Sequence, residues 1–238
     1  LVAGFIMTGL LPFIERAFQV LTDISLLELG DVAHPLLQEL VRRAPSTYNH
    51  SITVGAIAEA AAEAIGARGL LARVGSYFHD IGKMLKPGYF IENQSPDQNR
   101  HDTLVPAMSS LVIIAHIKDG ADLARQLGLP EPIVDMIQQH HGTTLVSYFY
   151  EKAKAPGGET PEEGDYRYPG PCPVRREIAI LSIADCCEAA ARSLARPTPQ
   201  RLEALIDQLV FARVRDHQLD HRSEERRVGK ECRYRGLP

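Results

Sequence analysis

The sequence predicts an all-α domain, and three observations carry that prediction. Apolar residues recur at spacings of three and four. No stretch of useful length alternates apolar with polar residues, and no internal repeat is visible. Composition leans the same way: Ala, Leu and Ile are abundant, aromatics make up 6% and Trp is absent. The 238 residues, 45% hydrophobic and 24% charged, suffice for one globular domain with a substantial core, or one domain plus appendages. A net charge of -4 gives no global footprint for a nucleic-acid polymer. The four cysteines (Cys172, Cys186, Cys187, Cys232) have no C-x-x-C spacing. They read as neither a zinc knuckle nor a disulfide framework, which fits a reducing, cytosolic setting.

The elements follow in chain order. Residues 1–11 carry no charge and lead into Pro12, Glu15 and Arg16. A membrane span needs about 20 apolar residues, so this stretch does not cross alone. It lacks the basic start of a signal peptide. It reads either as the cut end of a longer apolar segment or as a short buried helix. Pro35 suits a first helical turn and opens a helix over 36–43. Ser46 or Thr47 is expected to cap a long helix reaching residue 65, with Gly66 as its stop. His50, Val54, Ile57 and Ala61 share one predicted face, so His50 points inward among apolar residues. A third helix is expected over 69–79, ending in Ile81-Gly82-Lys83.

Residues 86–102 hold Pro87, Gly88, Pro96 and several Asn and Gln, and read as a long ordered loop. A helix is predicted over 103–118, broken at Asp119 or Gly120, with a short helix over 121–126 stopped by Gly128. Another runs over 130–141 to Gly142, and residues 143–154 are expected to continue as helix. Residues 155–173, rich in Pro, Gly and Glu, read as an exposed loop. Residues 174–194 form a strong helix with Asp185 on the stripe of Ile178, Leu181 and Ala189, and 199–215 form the last. From Arg222 the chain becomes charged and aperiodic and is predicted to be disordered. It resembles a peptide translated from sequencing-adapter DNA at the end of a truncated reading frame, and is expected to be non-native.

Chemistry concentrates in His50, the His79-Asp80 pair, His116, the His140-His141 pair and Asp185. Nearly all lie in apolar, helix-patterned sequence, where an imidazole or carboxylate is costly without a partner. Imidazole nitrogen with carboxylate oxygen suits iron, manganese or zinc. Seven such side chains exceed one tetrahedral site and match two adjacent metals, which predicts a metal-dependent hydrolase. A single inward His is commonly a hydrogen-bonded core residue. Seven together would each need a separate buried partner, and the immediate neighbours of Asp185 supply none. The second His-Asp pair, His101-Asp102, lies in polar sequence. Asp102 is expected to cap the helix that follows, and His101 is kept as a substrate contact. Tyr148-Phe149-Tyr150 reads as core rather than as an adenine platform, and His34, His217 and His221 as structural or surface residues.

Tyr-Asn-His50-Ser, Tyr-Phe-His79-Asp80-Ile-Gly-Lys83, Ala-His116-Ile-Lys-Asp-Gly, Gln-His140-His141-Gly-Thr-Thr and Ile-Ala-Asp185 resemble the HD-domain phosphohydrolase superfamily. Leu-Leu-Glu-Leu-Gly-Asp, His-Pro-Leu-Leu, Tyr-Phe-Ile-Glu-Asn-Gln, Phe-Tyr-Glu and Tyr-Arg-Tyr-Pro-Gly-Pro are similar to one branch. That branch is the cytoplasmic domain of PgpH-type seven-transmembrane proteins, bacterial cyclic di-AMP phosphodiesterases. The resemblance covers roughly residues 13–220. It implies an HD-domain helical bundle over 22–221, with 1–21 as the end of a transmembrane helix plus linker and 222–238 as the tail. It places the domain on the cytoplasmic side of the cell membrane and leaves oligomerisation open.

The resemblance also implies two iron or manganese ions: one held by His50, His79, Asp80 and Asp185, the other by His116, His140 and His141, with Asp80 bridging. Metals paired about 3.5–4 Å apart activate water for in-line attack on phosphorus. Lys83, three residues past Asp80, is expected to help offset charge on the phosphoryl oxygens. The implied reaction opens cyclic di-AMP to the linear dinucleotide pApA. Gly88-Tyr89-Phe90 departs from the Gly-Tyr-Pro of the branch that cleaves cyclic di-GMP, and Asn49 stands where that branch often has His. The alternatives are an HD phosphohydrolase acting on cyclic di-GMP or a deoxynucleotide triphosphate, and a membrane-tethered module that senses a nucleotide without turnover.

Overall fold

A computed structural model describes residues 9–10, 20–94, 99–154 and 160–220. The tail and most of the apolar N-terminal stretch lie outside the described residues. Nine helices are described: α1 Asp23–Leu29, α2 Pro35–Arg43, α3 Pro45–Ala64, α4 Gly69–Phe78, α5 Pro106–Gln126, α6 Glu131–Gln139, α7 Ser147–Ala153, α8 Arg176–Arg192 and α9 Pro199–Arg215. Short 3₁₀ turns fill the connections, including Ile81–Leu85, Pro87–Tyr89, Ile91–Asn93 and Arg100–Thr103. Among the described residues there is no strand, only an isolated bridge between Leu145 and Arg167. The all-α expectation therefore holds. No helix among them is long and apolar enough to cross a membrane.

Helix α3 packs along α4 and α8, α4 also meets α6, and α5 lies against α6, α7 and the Ile81–Leu85 turn. Leu40, Val54, Phe78, Ile133, Ile137 and Leu181 are fully buried between them. Removing each such side chain from water contributes roughly 1.5–3 kcal/mol, which offsets the cost of seating polar residues in the same interior.

Helix α3 opens on Pro45 at its first turn and has no side-chain cap, so neither Ser46 nor Thr47 acts as one. The Thr47 hydroxyl instead donates to Glu92 at 3.2 Å. The inward face of α3 is Thr47, His50, Ser51, Val54, Gly55, Ala58 and Ala62. Ile57 and Ala61, expected on it, are exposed, because α4 and α8 flank the helix and rotate the buried stripe towards its small residues. Ala189 is likewise exposed, while Ile178, Leu181 and Asp185 point inward.

The predicted break at Asp119 or Gly120 does not occur: α5 runs unbroken to Gln126. A mid-helix glycine costs about 1 kcal/mol against alanine, and here a close approach explains it. A Cβ on Gly82 would lie 2.0 Å from the His116 carbonyl oxygen and 2.6 Å from the Gly120 nitrogen. The two glycines let the turn after Asp80 press backbone to backbone against α5. Gly82→Ala should therefore cost about 3 kcal/mol or more, because no flexible side chain can yield. The urea midpoint reports it, and an unchanged midpoint would show the contact to be loose.

Residues 143–146 are not helical. The Val146 amide donates to the Tyr166 carbonyl at 2.8 Å and the Tyr168 amide to the Thr144 carbonyl at 3.0 Å. This pairing draws the Pro/Gly-rich loop inward at Tyr166 and Tyr168. Asp102 is no helix cap either: α5 begins at Pro106 with Val105 preceding it, and the Asp102 carboxylate accepts from the Asn99 side chain at 3.2 Å.

Candidate metal centre

Five helices and one turn deliver the predicted ligands to one interior point. His50 projects from α3, His79 caps the C-terminus of α4, and Asp80 opens the following turn. His116 comes from α5, His140 caps α6 with His141 next, and Asp185 lies on α8. His79, Asp80 and His140 are at most 1% exposed, and Asp185 is 8% exposed. His141 stands at the rim, with 18% of its side chain exposed.

Asp80 is central. Its Oδ2 lies 3.2 Å from His79 Nε2 and 3.7 Å from His50 Nε2. Its Oδ1 lies 3.3 Å from His116 Nε2 and 3.7 Å from His140 Nε2. Each oxygen thus faces one of two groups of rings. Asp185 is divided in the same way: Oδ1 is 3.0 Å from His50 Nε2, and Oδ2 is 3.7 Å from His141 Nδ1.

Three of the rings are held by the chain itself. Nδ1–H donates to the carbonyl three residues back: His79 to Ser76 at 2.6 Å, His116 to Ile113 at 2.6 Å and His140 to Ile137 at 2.9 Å. A carbonyl only accepts, so the proton is on Nδ1, and in the neutral ring the Nε2 lone pair faces inward. Those three Nε2 atoms and Asp80 Oδ1 are buried without a hydrogen-bond partner, while Asp80 Oδ2 has the Lys83 ammonium at 2.7 Å. Four buried, unpartnered lone-pair atoms turned on one another are costly in protein alone and fit a cation. Three sets place their ligand atoms within 4.8 Å of one another: His50-His79-Asp80, His116-His140-His141 and His79-His140-Asp185. The third cuts across the other two, so the donors form one continuous cluster.

Burial sets the protonation. His140 is pushed down to about 3, first by burial and then by His79. Burial with His140 alongside holds His141 well below the usual histidine range. Both are neutral at pH 7, the form that binds metal. Burial alone would raise Asp80, but His79 and Lys83 hold it well below the carboxylate range. Asp185 is lowered against its burial by His50 and His141.

Lys83 Nζ lies 2.7 Å from Asp80 Oδ2 and 3.0 Å from Glu92 Oε1, and 5.2 Å from the centre of the Phe90 ring. Asp80 and Glu92 raise its ammonium pKa against the pull of burial. His101 stands apart from the cluster. It is buried, its Nε2–H donates to the Tyr89 carbonyl at 2.7 Å, and its ring packs on Tyr89 and Phe149. That geometry fastens the 86–94 segment.

Sequence reasoning missed three residues. Glu92 holds Lys83. Tyr168 lays its ring 4.3 Å from that of His141. Glu188 accepts from His50 Nδ1 at 2.6 Å. Glu188 was findable, since it lies three residues past Asp185 and so on the same helix face. Tyr168 was not, because its position depends on the non-local pairing with Thr144.

Helices that converge on a buried His-Asp cluster define the class. The HD domain model matches residues 47–190, and the chain belongs to the HD domain family. Among named relatives, it is 47% identical over 221 residues to the cyclic-di-AMP phosphodiesterase PgpH of Bacillus subtilis (strain 168), covering 91% of this chain and 31% of the relative. It is 47% identical over 210 residues to the protein of that name from Listeria monocytogenes serotype 1/2a (strain 10403S), covering 88% of this chain and 29% of the relative. The chain thus spans less than a third of the curated relatives it matches. The crystal structure of the L. monocytogenes PgpH HD domain in complex with cyclic di-AMP superposes with a TM-score of 0.77 at 47% identity, covering 80% of this chain and 87% of that one.

Proposed function

We propose that this chain is the catalytic domain of a metal-dependent phosphodiesterase that hydrolyses cyclic di-AMP to pApA. The observation that carries the hydrolytic reading is the set of buried, unpartnered Nε2 and carboxylate atoms around Asp80. Support for the substrate comes from the names of the relatives and from the ligand held by the neighbouring crystal structure. All seven ligand positions are filled by coordinating residues, which favours turnover over nucleotide sensing alone.

His50, His79, Asp80 and Asp185 would hold one divalent ion, and His116, His140 and His141 the other, with Asp80 turned to both. Iron or manganese fits this mixed imidazole and carboxylate set. When bound, the metals supply Lewis acidity towards the phosphoryl group and a lowered pKa for water.

The protein's own residues do the rest. The backbone carbonyls hold three rings in register, so little reorganisation is needed when charge develops. Lys83, fixed by Glu92 at the edge of the cluster, carries a permanent positive charge towards the phosphoryl oxygens. We assign His101 to holding the loop that bears Glu92 rather than to meeting substrate. We also propose that the domain faces the cytoplasm on a membrane-anchored chain, a reading that rests on its likeness to the PgpH proteins. Its partner is a cyclic dinucleotide, not a nucleic-acid polymer.

The test is product identification. The purified chain, supplied with manganese, is incubated separately with cyclic di-AMP, cyclic di-GMP and a deoxynucleotide triphosphate. Conversion of cyclic di-AMP to pApA, faster than either alternative, is expected. Cyclic di-AMP bound and recovered intact would reject the enzyme reading.

A further inference from the structure

His79, His116 and His140 each anchor Nδ1 to a neutral carbonyl of their own helix. His50 is held differently. Its Nδ1 lies 2.6 Å from Glu188 Oε2, across the interface between α3 and α8. A carboxylate accepts, so the ring donates its Nδ1 proton there. Arg192 Nη2 sits 2.6 Å from the same carboxylate oxygen and a longer 3.3 Å from the His50 nitrogen. On the opposite side of the ring, Nε2 faces Asp185 Oδ1 at 3.0 Å. The imidazole is therefore gripped by two carboxylates one helical turn apart on α8, one at each nitrogen.

With the proton committed to Glu188, a neutral ring turns its Nε2 lone pair on the lone pairs of Asp185. Two acceptors at that distance repel unless a proton or a metal cation lies between them. The arrangement makes sense as a ligand and its orienting partner. A carboxylate on the far nitrogen fixes the tautomer and ring orientation and raises the basicity of the ligating nitrogen. Glu188 has only 14% of its side chain exposed, and Arg192 offsets its charge from the solvent side. The family motif quoted for the metal ligands does not include it.

We propose that Glu188 is a positioning residue for the ion held by His50, His79, Asp80 and Asp185. It commits the His50 proton to Nδ1 and so sets the metal affinity of that half of the cluster, leaving the His116-His140-His141 half unchanged. This rests on the metal-centre reading above.

The test titrates the unmodified chain, Glu188→Gln and Glu188→Ala with manganese against a chelating indicator, and follows kcat and KM for cyclic di-AMP. Glu188→Ala should weaken one of two sites by about 10–100-fold and lower kcat at subsaturating manganese with KM unchanged. Glu188→Gln keeps an oxygen acceptor without the charge, and should fall between the two. It carries the test alone if the alanine variant does not fold. A merely structural Glu188 would lower the melting temperature and leave both affinities in place. Two tight sites in every variant, as in the unmodified chain, would overturn this inference and spare the metal centre. No manganese bound by the unmodified chain would overturn the metal centre itself.

Discussion

Replacing Asp80 with asparagine is expected to abolish phosphodiester hydrolysis while leaving a folded helical protein. Asparagine keeps the shape of the side chain but presents one oxygen and one amide nitrogen. Whichever way it turns, either the His50-His79 side or the His116-His140 side loses its oxygen donor. An uncharged bridge also leaves both ions less neutralised. A fall in kcat of about 10³-fold or more is expected, equivalent to roughly 4 kcal/mol of transition-state stabilisation. The fold should survive, because the new amide can donate to an Nε2 that now lacks a donor and Lys83 retains Glu92 at 3.0 Å. Turnover at saturating cyclic di-AMP, beside a far-ultraviolet circular dichroism melt, reads both effects. An Asp80→Asn enzyme within tenfold of the unmodified one would remove Asp80 from the centre.

Stripping metal should affect stability as well as activity. Without ions, three imidazole lone pairs and Asp80 Oδ1 remain buried and unpartnered. Ions that bind only the folded state stabilise it by mass action, about 2.7 kcal/mol per site at a hundredfold excess over the dissociation constant. For a domain of this size each kcal/mol moves the melting temperature by roughly 2–4 °C. Chelation should therefore lower the midpoint by some 5–10 °C per site and stop hydrolysis, and added manganese should restore both. A melting temperature indifferent to chelator and manganese would mean that the cluster satisfies itself without ions.

Much of the fold and of the site is legible in the sequence. Pro35 marks a helix start by its fixed φ and missing amide, and such local chemistry survives folding. The metal-ligand positions stood out because imidazoles and carboxylates interrupt apolar helical sequence. What failed depended on distant partners. Gly120 reads locally as a breaker, yet it is a contact point for Gly82. Ile57 and Ala61 seemed to belong to the face of His50 and Val54 until the flanking helices selected Ala58 and Ala62 instead. Residues 143–146 lost their predicted helix to pairing with residues 166–168. In the site, the division of Asp80 and Asp185 between two groups of rings is a three-dimensional fact. The family resemblance anticipated it for Asp80 and not for Asp185. Glu92 carried no local mark, since an acidic residue in a polar loop is ordinarily solvated, and Glu188 was marked only by its place on the helix face of Asp185.

The most direct measurement couples metal count to turnover: the metal-free chain is titrated with manganese while bound metal and pApA release are followed together. A dinuclear centre bridged by Asp80 predicts that hydrolysis of cyclic di-AMP reaches its plateau at two ions per chain. Full hydrolysis under excess chelator, or two bound ions with cyclic di-AMP left intact, would contradict it.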